Sequence, residues 1–465
     1  MKRIFSILMV SVFLLSAFSI MALSRSEAQA YPEVKQLTKN DFNDYLGARV
    51  LSWDGSKVVF STKFSDNDYK VYVMNTTDEP GQEKLMTVAP GRNHGASITA
   101  DGNKIVFNSN RKNPSDPWYS YEIFVMNTTD DPGSEIQITD DNLLDHNPDI
   151  SGNGEIIAWH SAPTSWTGFD IKVANISDMA NIEFPPPIDV SSIDEYPSIS
   201  YDGKSLVFWS YTGPGGHDGD VYIVNSDGTG LKKLIGGSDT FTALSGDGSR
   251  VALQRIVGGD YEIFVYDITH DTFNQLTDNN SDDILGGIDG DGNIVTYSRD
   301  GDIFIHDLTA ETQLTDGNYD NNAPRICGDG SVIVFRSNRD GPDYDIFMIR
   351  LEKQISASVD VDPDTLNLKS NGQWITAYIT LPEEYNVEDI DLEMVHIDGI
   401  PAAWSEIQDG VYMAKFDRAS VQSCLTNEPD YESAPKFYDI TLTVTGELVD
   451  GTLFKGTDTI TVIKK

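Results

Sequence analysis

Two histidines and a glutamate occupy one repeated position in this chain. His94, His146 and Glu195 each stand five residues before the last residue of an apolar run, at Thr99, Ser151 and Ser200. Two imidazoles and a carboxylate form a donor set that suits a divalent transition-metal ion, and Asp145 or Asp194, one residue earlier, could orient a histidine from behind. The plainer alternative is three polar side chains at a wet channel mouth. Counting back six residues instead gives Leu46, Asn93, Asp145, Asp194, Asp239, Asp283 and Asn321. This ring of short polar side chains, broken only at its first member, reads either as Asx turns at the strand entry or as a carboxylate collar for a cation or a basic peptide end.

A third set is aromatic. Trp118, Tyr119 and Tyr121, then Trp166 and Phe169, then Trp209 and Tyr211 sit in or beside three successive loops, with His160 and His217 in the same units. Aromatic faces exposed on loops suit sugar rings or extended peptides, whereas long loops also pack their own aromatics. Trp159 lies inside an apolar run and is expected in the core. Arg111, Arg299 and Arg339 follow second strands, and Glu122, Asp170, Asp220, Glu262, Asp302 and Asp345 open third strands, so structural pairing between these sets is expected.

The elements that must position these residues repeat along the chain. In residues 197–234 an apolar run ends in Ser200, Asp202-Gly203 makes a tight turn, and a second apolar run follows; a polar loop, a third run opened by Asp220 and a last short strand complete the unit. The turn pair recurs at Asp54-Gly55, Asp101-Gly102, Asn153-Gly154, Asp247-Gly248, Asp291-Gly292 and Asp329-Gly330, at steps of 47, 52, 49, 45, 44 and 38 residues over the whole series. Four strands per unit at this period mark a β-propeller. Asx-Gly suits a two-residue hairpin with positive φ at both central positions. The seventh unit ends at Arg350 without its last strand, while a spare copy, Gln36-Leu37-Thr38, precedes the first. The N-terminal strand should therefore complete the last blade and leave no open edge.

Phe107-Asn108-Ser109-Asn110-Arg111, Phe335-Arg336-Ser337-Asn338-Arg339-Asp340 and Asp220-Val221-Tyr222-Ile223-Val224-Asn225-Ser226-Asp227-Gly228 resemble TolB-type propeller repeats, also called PD40 or WD40-like repeats. The resemblance covers about residues 31–350. It implies the fold and leaves function open, since such repeats serve binding proteins, peptidase gating domains and a few lyases.

The expected architecture is all-β: a seven-bladed propeller over residues 31–353, closed by an N-terminal outer strand, then a small Ig-like β-sandwich over 354–465. Residues 354–465 alternate in period two, as in Trp374-Ile375-Thr376-Ala377-Tyr378-Ile379, with no helical stretch expected. The segment around Val361-Asp362-Pro363-Asp364 resembles a C-terminal module of secreted prokaryotic surface proteins. Residues 1–30 read as a secretory signal: Lys2 and Arg3, an apolar run over 4–23, then Ala28-Gln29-Ala30. That run is long enough to span a bilayer, so retention as an N-terminal anchor, the chain's one expected membrane link, stays open.

Net charge is −40 over 465 residues, which excludes the concentrated basic surface that nucleic acid needs. The carboxylates either solvate an extracellular surface or attract divalent cations and cationic partners. A bridge between the two cysteines, Cys327 and Cys424, would have to join the domains; Cys327 reads as a local substitution for Ser151, Ser200 and Ser245 of other units. No Gly-x-Ser-x-Gly elbow and no α/β segment follow the propeller, so a whole peptidase is excluded. The leading expectation is a secreted or cell-surface, periplasmic or extracellular, non-enzymatic binding protein for a peptide, protein or glycan. The alternatives are a polysaccharide lyase with a divalent metal ion at His94, His146 and Glu195, and a structural surface-layer component.

Overall fold

The computed structural model describes residues 31–464 except 115–120, 142, 164–167, 191–192, 212–218, 318, 352–353, 371, 383–384, 392, 409, 428–434 and 450–451, and the side chains of 238–240 and 354. Trp118, Tyr119, Trp166 and His217 lie outside the described residues, as does the leader. Among the described residues no helix is long and apolar enough to cross a membrane.

The repeat folds as consecutive antiparallel sheets in chain order. The first is Asn43–Tyr45, Lys57–Ser65, Asp68–Asn75 and Lys84–Leu85; the second is Asn93–Ile98, Lys104–Ser109, Glu122–Asn127 and Ile136–Gln137. A three-stranded sheet, Leu143–Ile150, Ile156–Pro163 and Asp170–Asn175, follows. The next two repeats join into one seven-stranded sheet because the strand Lys232–Leu244 runs from the outer edge of one into the inner edge of the next. In the last sheet, Asn321–Ile326, Val332–Ser337 and Asp345–Arg350 are joined by Val34–Gln36, antiparallel, with Val34 opposite Ile349. Apolar side chains fill the space between sheets: Val58, Ile98, Phe107, Val334 and Met348, drawn from the first, second and last, share one cluster.

The turns differ from expectation. Only the glycine is left-handed, at φ 64° for Gly55, 67° for Gly102, 72° for Gly203 and 74° for Gly248, and none of the paired aspartates is. The aspartate side chain is the reason. Asp54 Oδ1 accepts from Ser52 Oγ at 2.7 Å and from the Ser56 N–H at 3.0 Å. Asp101, Asp202 and Asp247 repeat this with Thr99 and Asn103, Ser200 and Lys204, and Ser245 and Ser249. An Asx turn of this kind holds the aspartate at negative φ, so one glycine suffices. Cys327 keeps the serine's place, with Sγ 2.9 Å from Asp329 Oδ1, and neither cysteine is in a disulfide.

One residue past each apolar run, backbone hydrogen bonds step from repeat to repeat. Trp53 N–H donates to Ala100 O, Ala100 to Gly152, Asn153 to Tyr201, Tyr201 to Gly246, Asp247 to Gly290, Gly290 to Gly328 and Asp329 back to Trp53, at 2.7–3.0 Å.

The C-terminal region has two sheets. One contains Gln354–Ser356, Leu453–Ile463, Phe437–Glu447, His396–Ile397 and Ile400–Pro401, the other Ser358–Asp362, Trp374–Thr380, Val411–Asp417 and Trp404–Gln408. Val361, Ile375, Phe416, Leu442, Val444 and Phe454 form their common core. A helix, Arg418–Asn427, corrects the expectation of none. Asp417 caps it, accepting from the Ser420 N–H and Oγ at 2.8 Å each, and Val421 and Leu425, one turn apart, are buried.

Candidate functional site

The innermost strands are bent by a bulge at one repeated place. Pairing slips between His94 and Ser97, His146 and Asp149, Glu195 and Ser198, and Asn322 and Arg325. At the apex the chain is left-handed: φ is 63° at Gly95, 48° at Asn147, 53° at Tyr196 and 50° at Ala323. Pro148, Pro197 and Pro324 follow three of these, and proline, lacking an N–H, is tolerated at a bulge. Left-handed backbone costs a residue other than glycine about 1 kcal/mol, and such strain gathers at functional sites. Here it turns Asn147 and Tyr196 into a central cavity of about 250 Å³.

The same bulges align three imidazoles. The rings of His94 and His146 are 5.1 Å apart, and His146 stacks on its cross-strand partner His160 at 5.7 Å. Tyr121 stands at 5.3 Å from His94 and 5.0 Å from His146, its hydroxyl 3.3 Å from His94 Nε2. The Tyr196 N–H donates to His160 Nδ1 at 3.3 Å, which places the His160 proton on Nε2. Burial holds His146 down to about 4, and pushes His94 and His160 well below the usual histidine range, with His146 adding to both. All three are therefore uncharged at neutral pH. Glu195, paired across the strands with Trp209, is raised by burial to about 7. His94 and His146 line a second cavity, about 330 Å³, with Tyr45, Tyr69, Arg92 and Tyr121. Both cavities are lined by Leu46, Gly47, Gly95 and Asn147, so they adjoin.

Other predicted residues are placed differently. Asp145, Asp194 and Asp283 are wholly buried and form no collar. Asp145 accepts from Trp159 Nε1 at 2.9 Å, Asp194 from the Val190 N–H at 2.8 Å and Asp283 from Arg299 Nε at 2.6 Å, while their own N–H groups donate to the carbonyls of Tyr121, Phe169 and Tyr261 of the preceding repeat, which places each at a junction. The Asp239 side chain lies outside the described residues. Tyr121, Phe169 and Trp209 are buried too, because each turns inward on entering or leaving a strand. Phe169 packs on His160 at 4.7 Å, and Trp209 stacks on the half-buried Tyr211 at 4.2 Å. Tyr121 and Phe169 thus brace the histidine row instead of facing solvent. His94, His146 and Glu195 do not converge as one set. Among the described residues, the three-donor groups are Glu122, Asp141 and Asp145, and Asp170, Asp189 and Asp194.

Two further rings escaped the sequence reading. Two residues before each run ends stand Val50, Ser97, Asp149, Ser198, Ala243, Gly287 and Arg325, and Arg49 stands just before the first of these. Arg49 pairs with Asp149 at 3.6 Å and lies over Tyr201 at 4.5 Å. Arg325 donates to the carbonyls of Gly47, Gly286 and Pro324 at 2.6–3.0 Å and has no carboxylate partner among the described residues. Burial, with Arg336 nearby, lowers it to about 10. One residue past the run stand Trp53, Ala100, Gly152, Tyr201, Gly246, Gly290 and Gly328. Trp53 and Tyr201 meet at 4.7 Å and lie against four of these glycines so closely that a Cβ there would collide with a ring. The same register count, extended by three and by six residues from the histidine position, would have found both sets but not Arg49.

No known protein family and no curated protein matches the sequence. Solved structures do. Oligogalacturonate lyase from Vibrio parahaemolyticus is similar at TM-score 0.52 and 15% identity, over 70% of this chain and 94% of that one. An oligogalacturonate lyase in complex with manganese matches at 0.52 and 15%, over 69% and 93%. The β-propeller domain of the Trilobed protease from Pyrococcus furiosus, described as having an open velcro topology, matches at 0.50 and 14%, over 66% and 95%. The fold is a β-propeller. At these identities the likeness carries the fold alone.

Proposed function

We propose that this chain is an exported, non-enzymatic binding protein, a closed seven-bladed propeller followed by a C-terminal sandwich, whose channel mouth takes up part of a peptide, protein or glycan at the cell surface. The carrying observation is the pair of adjoining cavities. His94, His146, Tyr69, Tyr121 and Tyr196 wall it, Arg92 and Arg325 lie at its sides, and Trp53 and Tyr201 lie beneath. Uncharged imidazoles and phenols offer π faces and hydrogen bonds of either sense, and guanidinium adds donors for an acidic group. Ring closure is supported by the hydrogen-bond circuit that leaves Trp53 and returns to it, export by residues 1–30, and solvation outside the cell by the net charge of −40. Screening the chain without residues 1–30 on arrayed glycans and peptides tests this: a saturable ligand is expected, and none would remove the reading.

A second reading, a metal-assisted lyase of uronate polymers, is favoured by one observation. Three adjacent imidazoles lack charge at neutral pH, and Glu195 is raised to about 7, which suits proton transfer. The likeness to oligogalacturonate lyases gives the substrate to try. New ultraviolet absorbance from unsaturated ends, with manganese present and lost in His146→Ala, would establish it; no absorbance leaves a binding protein.

A further inference from the structure

Where one repeat meets the next, the acid that opens a third strand faces the residue that opens the following innermost strand. These junctions share one plan, and most supply a donor for each acceptor. At Glu262 and Asp283, Arg299 donates to both oxygens of Asp283 at 2.6 and 3.0 Å, while Thr277 and the Asn279 N–H satisfy Glu262. At Asp302 the partner is neutral Asn321, on which Arg339 sits at 2.9 Å. Asp345 and Asp44 lack an arginine but accept from Thr38, Gln36, Asn40 and Thr62.

The junction of Glu122, Asp141 and Asp145 breaks the plan twice. It gathers three carboxylates whose donor atoms lie within 4.8 Å of one another. It also lacks the arginine, because Ala162-Pro163 follow Ser161 where Asn110-Arg111 follow Ser109. Thr139 Oγ donates to Glu122 at 2.8 Å and Trp159 Nε1 to Asp145 Oδ1 at 2.9 Å. Asp145 Oδ2, in a residue 0% exposed, accepts no hydrogen bond. Lys172 pairs directly with the exposed Asp141, at 3.5 Å, and acts on the buried Asp145 only at longer range. Two wholly buried carboxylates and a third beside them are costly without a counter-charge. The next junction gathers three aspartates, Asp170, Asp189 and Asp194, in the same way.

We propose that Glu122, Asp141 and Asp145 bind a divalent cation of the calcium class, in the place that an arginine fills at Asp283. Calcium takes six to eight oxygen ligands and tolerates irregular geometry, so three carboxylates plus water suit it, and the exposed Asp141 gives it a way in. The competing occupant is a proton, since burial raises Glu122 to about 7.

The test uses the protein stripped with chelator, then titrated with calcium chloride near neutral pH, following bound ion and melting temperature. A ligand held only by the native state should raise the melting temperature by several degrees. Asp141→Asn should bind one ion fewer per chain than the wild type and lose part of that rise, while melting like the wild type in chelator. Glu122→Gln, which mimics the protonated acid, should lose the same ion. Equal ion counts in wild type and both variants would overturn the proposal. So would a wild type that binds no calcium and gains stability only as the pH is lowered.

Discussion

At the scale of single residues, the account rests on groups held in the form that burial prefers. His146 has its pKa depressed to about 4 from an ordinary value near 6.5, so it favours folding above pH 6.5 and loses that contribution as pH falls through about 4. Glu195 runs the other way: raised to about 7, it favours folding below about 4.5 and loses that contribution as pH rises through 7. Thermal unfolding against pH should separate them. His146→Gln should shrink the wild type's loss of stability between about pH 6.5 and 4. Glu195→Gln should raise stability at about pH 8 by on the order of 2 kcal/mol, after allowing for residual solvent contact, and change little at about pH 4. A pH profile unmoved by either change would show that these groups are not held as described. The histidine pair was legible because a count from the end of an apolar run fixes height in the sheet. Which way a side chain points was not, because the bulges that follow His94, His146 and Glu195 reset the alternation on which a collar at Asp145 depended.

At the scale of elements, the tight turns and the channel floor carry the testable content. Asp101→Ala removes the acceptor for Thr99 Oγ and the Asn103 N–H and should cost about 1–2 kcal/mol, read from the urea midpoint at unchanged slope. Gly246→Ala places a methyl against the Tyr201 ring and should cost about 1–3 kcal/mol by the same measurement; no loss would mean that the ring is free to move. The strands were legible from apolar runs between Asx-Gly pairs. The turn type was not, because the pair alone does not reveal that the serine or threonine before it engages the aspartate. The helix Arg418–Asn427 was hidden for a similar reason: one capping aspartate and two buried residues, Val421 and Leu425, are too weak a signal beside the alternation around them.

At the scale of the whole molecule, the N-terminal edge strand ties the last repeat to the first. Leu37 is 0% exposed within the cluster shared by the first, second and last sheets, and its N–H donates to Ile346 O. Leu37→Ala should therefore cost about 2–5 kcal/mol in urea unfolding, far more than an edge residue of an open sheet would. The order of sheets was legible because the turn spacing repeats and the missing last strand has a spare copy at the start. The cavity's contents were less so, since a lining drawn from distant segments such as those of Asp149, Tyr201 and Arg325 shows its chemistry only when every register is counted alike. The most direct test of the account is a binding titration of the best ligand from the glycan and peptide screen, comparing wild type with His94→Ala/His146→Ala at matched folding. Binding at least about tenfold weaker in the variant, a loss of about 1.4 kcal/mol, is the predicted result. Unchanged affinity would contradict a binding site at the channel mouth.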